Sequence, residues 1–350
     1  MKTIFAIGLM SGTSLDGLDI CYVQFTYPSM DFNILSAQTL DYSDEWKFRL
    51  KNSIHLSGEE LTKLDVDYGF LLGEMVSEFI QNHCIQNLDF IASHGHTVFH
   101  NPKEFYTLQI GNGRCIYAKT GIKTIFDFRT QDVILGGQGA PLVPIGDELL
   151  FGGFDACLNL GGFSNISFRK EQKRIAFDIC PVNIILNHLA EKIGFKYDAN
   201  GEIARNGRIS DELVRELNQL EFYQQNPPKS LGIEWCLEKI HPILNQSNLS
   251  TEDLIASFTE HISIQITEIF NQNEIKNCLV TGGGANNQFL IESIQMRTST
   301  EIILPEPQII EFKEALIFAL MGMLKLENQI NIFQSVTGAT QNHSAGLIIS

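Results

Sequence analysis

Three glycine-rich turns and a few isolated polar side chains are the places where this chain could do chemistry. The first turn runs Gly12, Thr13, Ser14, Leu15, Asp16, Gly17, Leu18, Asp19. Its glycines let the backbone approach a ligand closely, Thr13 and Ser14 add hydroxyl donors, and consecutive N–H groups form an anion-binding nest. Asp16 and Asp19 are poor company for an anion unless a cation such as Mg²⁺, bound to phosphate oxygens, bridges them. A plain hairpin turn has the same composition. The second turn, Gly161, Gly162, Phe163, Ser164, Asn165, could cradle another part of the same phosphate chain, or again be a hairpin. The third, Gly282, Gly283, Gly284, lies between a strand and a helix, where it could pass under a base or ribose. No G-x-x-x-x-G-K-[ST] and no protein-kinase signature occurs, so P-loop and protein-kinase chemistry are out.

Asp178 is the best candidate base, because it ends an apolar strand, Ile175 to Phe177, just before an expected helix. The competing reading makes it the N-cap of that helix. His94, His96 and His100 invite a zinc hydrolase reading, but no Cys or H-E-x-x-H supports it, and zinc wants three or four converging ligands. Orientation of a polar substrate by His94 or His96 fits better. Arg129, between Asp127 and Asp132, could clamp a carboxylate bidentately or form an ordinary ion pair. Glu314 opens a helix, where a first-turn acid also meets the helix dipole.

The elements that must hold these groups read as α/β. Strands are expected at 3–9 and 18–25 around the first turn, at 88–93 before His94, and at 123–126 before Asp127. A strand–turn–strand unit spans 156–168, a further strand covers 174–178, and a helix is expected from Cys180-Pro181. Ser57 and Glu60 form a capping box for a helix over 58–81. Apolar stripes predict helices over 250–270 and 313–326, and a buried strand at 278–281 feeds the third turn. Two strand–turn–strand units, each opening half of the chain, predict two related lobes. The glycine- and proline-rich stretch 136–144 suits the crossing, giving lobes 1–140 and 141–350, with a tail of ~25 residues free to return to the first.

At 350 residues the chain is long enough for two such cores. Its formal charge of −16 argues against binding nucleic acid or anionic membranes. Seven scattered cysteines without a C-x-x-C pair fit a reducing, cytoplasmic setting. The short apolar run 4–10 lacks the length of a signal peptide, and no stretch is long enough to span a membrane.

Taken together, nine stretches resemble one family closely, the anhydro-N-acetylmuramic acid kinases of the sugar kinase/Hsp70/actin superfamily. They are Gly8–Asp19, Ser93–His100, Thr107–Gly111, Asp127–Asp132, Gly136–Pro144, Leu158–Ser167, Thr281–Asn287, Glu314–Ala319 and Ser335–Thr340, in family order across nearly the whole chain. The resemblance implies a two-lobe actin-like ATPase (ribonuclease H-like) fold with a central nucleotide cleft, and often a homodimer. It implies a Mg²⁺-ATP-dependent reaction that opens 1,6-anhydro-N-acetylmuramic acid with water and phosphorylates it to N-acetylmuramic acid 6-phosphate in peptidoglycan recycling. By the same carry-over, residues 12–19 bind the ATP phosphates, Asp178 activates water, and Arg129, His94 and Glu314 lie near the sugar.

The family's D-T-G-P-G-N is here Asp178-Ile-Cys-Pro-Val-Asn183, and its K-S-T-G-R-E is Lys229-Ser-Leu-Gly-Ile-Glu234. Side chains at Cys180 and Val182 are thus expected where the family's glycines leave room for backbone to approach substrate. Two other readings stay open, a catalytically weak ATP-binding sensor and a kinase for a different anhydro-sugar.

Overall fold

The computed structural model describes residues 1–12 and 15–350; Thr13 and Ser14 of the first turn lie outside the described residues. The chain divides into two units, one formed by Met1–Leu150 with Phe312–Ser350, the other by Phe151–Glu311. The sequence had suggested a crossing at 140. The helix Pro144–Leu149 is tied to the first unit instead, since Asp147 pairs with Lys313 at 2.6 Å, both side chains buried.

The first unit is built on β1 (Lys2–Ser11), β2 (Gly17–Tyr27), β3 (Asp31–Asp41), β4 (Phe90–Ser93), a side hairpin of β5 (His96–Asn101) and β6 (Tyr106–Ile110), and β7 (Thr124–Phe126). Its main sheet has the order β3-β2-β1-β4-β7, with the C-terminal strand Leu347–Ile349 added beside β7. β1, β2 and β3 pair antiparallel, whereas β1, β4 and β7 run parallel. Ile4, Ala6, Ile7 and Leu9 of β1 are all buried, as expected of a central strand covered on both faces. One cover is the helix Gly58–Asn82, which opens with the expected Ser57/Glu60 capping box. The other is the helix Pro307–Leu326, which starts before the expected 313, so Glu314 lies in its interior and not in its first turn; it packs so tightly that any Cβ at Gly8 would collide with the Ala315 carbonyl.

The second unit repeats the pattern with β8 (Ala156–Leu160), β9 (Phe163–Lys170), β10 (Lys173–Pro181), β11 (Asn277–Thr281) and β12 (Glu301–Ile303), in the order β10-β9-β8-β11-β12. β8, β9 and β10 are antiparallel, and β8, β11 and β12 parallel. Three meandering strands followed by two parallel ones, in the order 3-2-1-4-5, make the ribonuclease H-like topology, here present twice. The fold is the two-lobe actin-like α/β class expected from the sequence. A large core joins Leu158, Ile166, Phe258, Ile262, Ile266 and Val280 beneath the long helix Thr251–Gln272.

Candidate active site

In the second unit, two glycine turns meet at the carboxyl ends of adjacent parallel strands, β8 and β11, where α/β sheets place ligand sites. The carbonyls of Gly161 and Gly162 turn inward. Gly161 accepts from the Asn183 N–H at 3.2 Å, and Gly162 accepts from Val182 at 2.8 Å and Ile184 at 3.2 Å. They satisfy the first turn of the helix Asn183–Glu191. Asn183 ties the two turns together, because its Nδ2 donates to the Leu160 carbonyl at 3.2 Å and lies 3.8 Å from where a Cβ on Gly283 would be.

Gly282 has φ +83°, and a side chain there would sit 2.5 Å from Asn159 Oδ1. Its glycine is demanded by the fold. Gly162 and Gly283 are different, since an added Cβ would meet only ordinary contacts at 3.9 and 3.8 Å. These two leave backbone open on the outer side of the turns, a surface suited to a phosphate or ribose. Asn165 stands one strand inward, on β9 opposite both Asn159 and Asp178.

Asp178 lies within β10, which continues to Pro181, and the helix begins at Asn183 behind a Val182 N-cap. Asp178 is therefore no N-cap, and the helix starts later than the sequence suggested. The strand runs on because Cys180 and Pro181 still pair with Ser164 and Phe163, across a bulge between Asp178 and Cys180. Bulges re-aim side chains next to active sites. The Leu231 N–H donates to Asp178 Oδ2 at 2.8 Å. Burial raises the carboxyl pKa and the Leu231 hydrogen bond opposes that rise, moving it in the direction a general base requires.

The neighbouring departures from the family pattern face the interior. Cys180 and Val182 are fully buried in the core of the second unit, with the Cys180 N–H donating to Ser164 Oγ at 3.1 Å. Burial pushes the Cys180 thiol up to about 12. Both side chains thus pack into the core of the second unit.

In the first unit, His94 and Arg129 are joined directly. Arg129 Nε–H donates to His94 Nε2 at 2.8 Å, and Arg129 Nη1–H to the Gly139 carbonyl at 2.5 Å. His94 Nδ1 is 2.9 Å from the Gly95 carbonyl, so it carries the proton and the imidazole is neutral. Burial, then the Arg129 charge, hold its pKa well below the usual value. Arg129 is itself lowered to about 10 by burial and stays cationic at neutral pH. The Nε edge of Arg129 is taken by histidine, while Glu314 and Asp132 are near enough to act on its charge.

Glu314 is open to solvent, yet the protein atoms crowding its carboxyl push its pKa up, with Arg129 opposing and Asp19 adding to the rise. Asp19 accepts from Thr39 Oγ1 at 2.6 Å on β2. Gly17 and Leu18 also belong to β2, and Gly17 is needed by its neighbour β3, since a Cβ would lie 2.5 Å from the Leu40 carbonyl. Gly12 follows β1, and its carbonyl receives the Leu15 N–H at 3.4 Å, with Leu15 at φ +59°. Asp16 is exposed beside them. The carboxylates of Asp16 and Asp19 are hard oxygen donors, which fits Mg²⁺.

The histidines do not gather as a zinc site. His94 Nε2 receives a guanidinium hydrogen, His96 packs against Tyr68 with ring centroids 6.4 Å apart, and His100 Nδ1 meets Thr107 Oγ1 at 3.0 Å. Among the described residues no group of three or more His, Cys, Asp or Glu is placed to hold a metal. Sequence reading singled out neither Asn183 nor Leu231 as a working residue. Leu231 gave no signal, because it acts through its backbone N–H.

Comparisons with known proteins accord with this arrangement. A family model described as anhydro-N-acetylmuramic acid kinase matches residues 4–350. A protein of that name from Mannheimia succiniciproducens is 35% identical over 386 residues, covering 99% of each chain. Its namesake from Haemophilus influenzae is 34% identical, covering 99% of this chain and 98% of the relative. Another, from Clostridioides difficile, is 32% identical and covers 96% of both.

Proposed function

Because the chain belongs to the anhydro-N-acetylmuramic acid kinase family, we propose that it opens 1,6-anhydro-N-acetylmuramic acid with water and phosphorylates it from ATP, giving N-acetylmuramic acid 6-phosphate and ADP. Water adds to the anomeric carbon, the bond from that carbon to the bridge oxygen breaks, and the freed oxygen takes the γ-phosphoryl group. Asp178 takes the proton that water gives up. The observation that carries this role is its carboxylate, held through Oδ2 by the Leu231 N–H and raised in pKa by burial.

The first turn and the open backbone at Gly162 and Gly283 bind the nucleotide. Phosphoryl transfer asks the protein mainly for positioning and charge stabilisation, which turn N–H groups supply without a lysine-rich site. Asp16 and Asp19 would hold Mg²⁺, which neutralises phosphate charge when bound. Arg129, fixed by His94 and Gly139, points its remaining N–H groups at an anionic group of the sugar, and Glu314 accepts from a sugar hydroxyl. The setting is cell-wall recycling in the cytoplasm, by a homodimer. No helix is long and apolar enough to cross a membrane among the described residues.

The test is ADP release from Mg²⁺-ATP with and without the anhydro-sugar, with mass spectrometry of the product. A product heavier by one water and one phosphoryl group is expected. ADP release with another anhydro-sugar alone would change the substrate, and ATP binding without any sugar-dependent release would make the protein a sensor.

A further inference from the structure

Residues 225–232 form an irregular strap between the short helices Glu221–Gln224 and Ile233–Trp235. Its neck is closed by aromatic contacts, with Phe222 and Trp235 ring centroids 5.4 Å apart and Tyr223 and Trp235 5.9 Å apart. Tyr223 is anchored in turn by His261, whose Nε2 lies 2.9 Å from the phenol oxygen. From this closed neck the strap reaches Asp178 twice. The Asp178 N–H donates to the Lys229 carbonyl at 3.1 Å, and the Leu231 N–H donates to Asp178 Oδ2 at 2.8 Å. Lys229 fastens the strap at its own side chain, where Nζ donates to the Phe222 carbonyl at 3.2 Å and sits 4.6 Å from that ring's centroid.

This contact falls where β10 is bulged, between Asp178 and Cys180, so the ladder with β9 is interrupted just after Asp178. A carboxylate at a bulge has two oxygens and a free torsion, and something outside the sheet must choose its orientation. Resting on Asp178 as the base, we infer that the strap is the positioning element of the reaction. The Leu231 N–H fixes Oδ2, so that Oδ1 is the oxygen presented to the attacking water, and Lys229 sets the strap against Phe222. Position 231 then contributes a backbone donor, which explains why a leucine can stand where the family has threonine.

A donor to the ionised carboxylate favours its charged form. The other titratable groups near the carboxylate are Lys229 on the strap and Cys180 on its own strand. Leu231→Pro deletes the N–H and nothing else polar. It should lower kcat by roughly 10- to 100-fold, the worth of one hydrogen bond to a charged group. It should also move the acid limb of the kcat–pH profile to higher pH, with KM for ATP within about two-fold of the parent. Leu231→Ala keeps the N–H and should leave the acid limb in place. Lys229→Met, which keeps the stem and removes the anchor, should shift the limb in the same direction as Leu231→Pro, and serves if the proline variant fails to fold.

A loss of kcat that is equal at every pH, or an unmoved limb in both variants, overturns the positioning role. Asp178→Asn separates the two ideas. If it still turns over, Asp178 is not the base; if it is inactive while Leu231→Pro and Lys229→Met keep the parent profile, the strap proposal alone fails.

Discussion

Arg129 donates its Nε–H to a neutral histidine, Nε2 of His94, at 2.8 Å. That is an unusual use of a guanidinium, and its origin lies further along the chain. Asp132 is fully buried and accepts from Thr337 Oγ1 at 2.7 Å and from the Gly139 N–H at 2.7 Å. The loop so held presents the Gly139 carbonyl to Arg129 Nη1. Two of the guanidinium's five hydrogens are therefore fixed before any ligand arrives, and the remaining ones are aimed.

Arg129→Lys should cripple sugar binding. An ammonium is a point donor and cannot reach His94 and Gly139 together while keeping the same outward edge. The expected result is a KM for the sugar raised roughly 10- to 100-fold, with KM for ATP little changed. Steady-state kinetics in each substrate checks this, and an unchanged sugar KM would remove Arg129 from the sugar site.

Asp178→Asn should abolish sugar-dependent ADP release while leaving ATP binding nearly intact, because the amide cannot take the proton. Burial raises the Asp178 pKa, so the parent should lose activity on acidification at a pH above that of an ordinary exposed carboxylate. Calorimetric ATP binding alongside a pH–rate profile tests both statements.

Gly282→Ala and Gly283→Ala should behave oppositely. At 282 the positive φ and the Asn159 contact at 2.5 Å make alanine strained, destabilising the fold by about 1–3 kcal/mol. At 283 the nearest atom is 3.8 Å away, so the melting temperature should hold while nucleotide affinity falls. A thermal melt and a nucleotide titration on each variant would show whether the two effects separate.

Stability should fall on acidification below about pH 6.5, the ordinary histidine pKa. Burial lowers His96 to about 4 and His261 to about 3. The unfolded chain then binds protons between pH 6.5 and those values while the folded one does not. Their contribution is present above pH 6.5 and lost as pH falls. His261→Gln should flatten the urea-unfolding free energy against pH by up to about 1.4 kcal/mol per pH unit in that window. An unchanged slope would contradict the buried neutral state.

Hydrophobic patterning alone placed β1, β2, β4, β7 and β11, the capped helix after Ser57 and the helix under the second sheet. Each carries its own periodicity or cap, and local chemistry suffices. The hairpin of β5 and β6 and the edge strand β3 were not legible. β3 alternates weakly at the rim, with mostly accessible side chains, and its pairing with β2 is a property of the partner. The end of β10 was misplaced for a related reason, since Pro181 looks like a helix start until Phe163 is seen pairing with it.

For the site, residue types and spacing were enough to mark Asp178, His94, Arg129 and the three glycine turns as candidates, because polar groups at the ends of buried strands stand out against an apolar sequence. What they do was decided by contacts far apart in the chain. Leu231 holds Asp178, Asn183 ties two turns together, and Thr337 reaches Asp132 behind Arg129. A backbone N–H has no residue-type signature, and a hydrogen bond across 53 or 205 positions has no periodicity. The tertiary structure supplied those, and with them the orientation of each charged group.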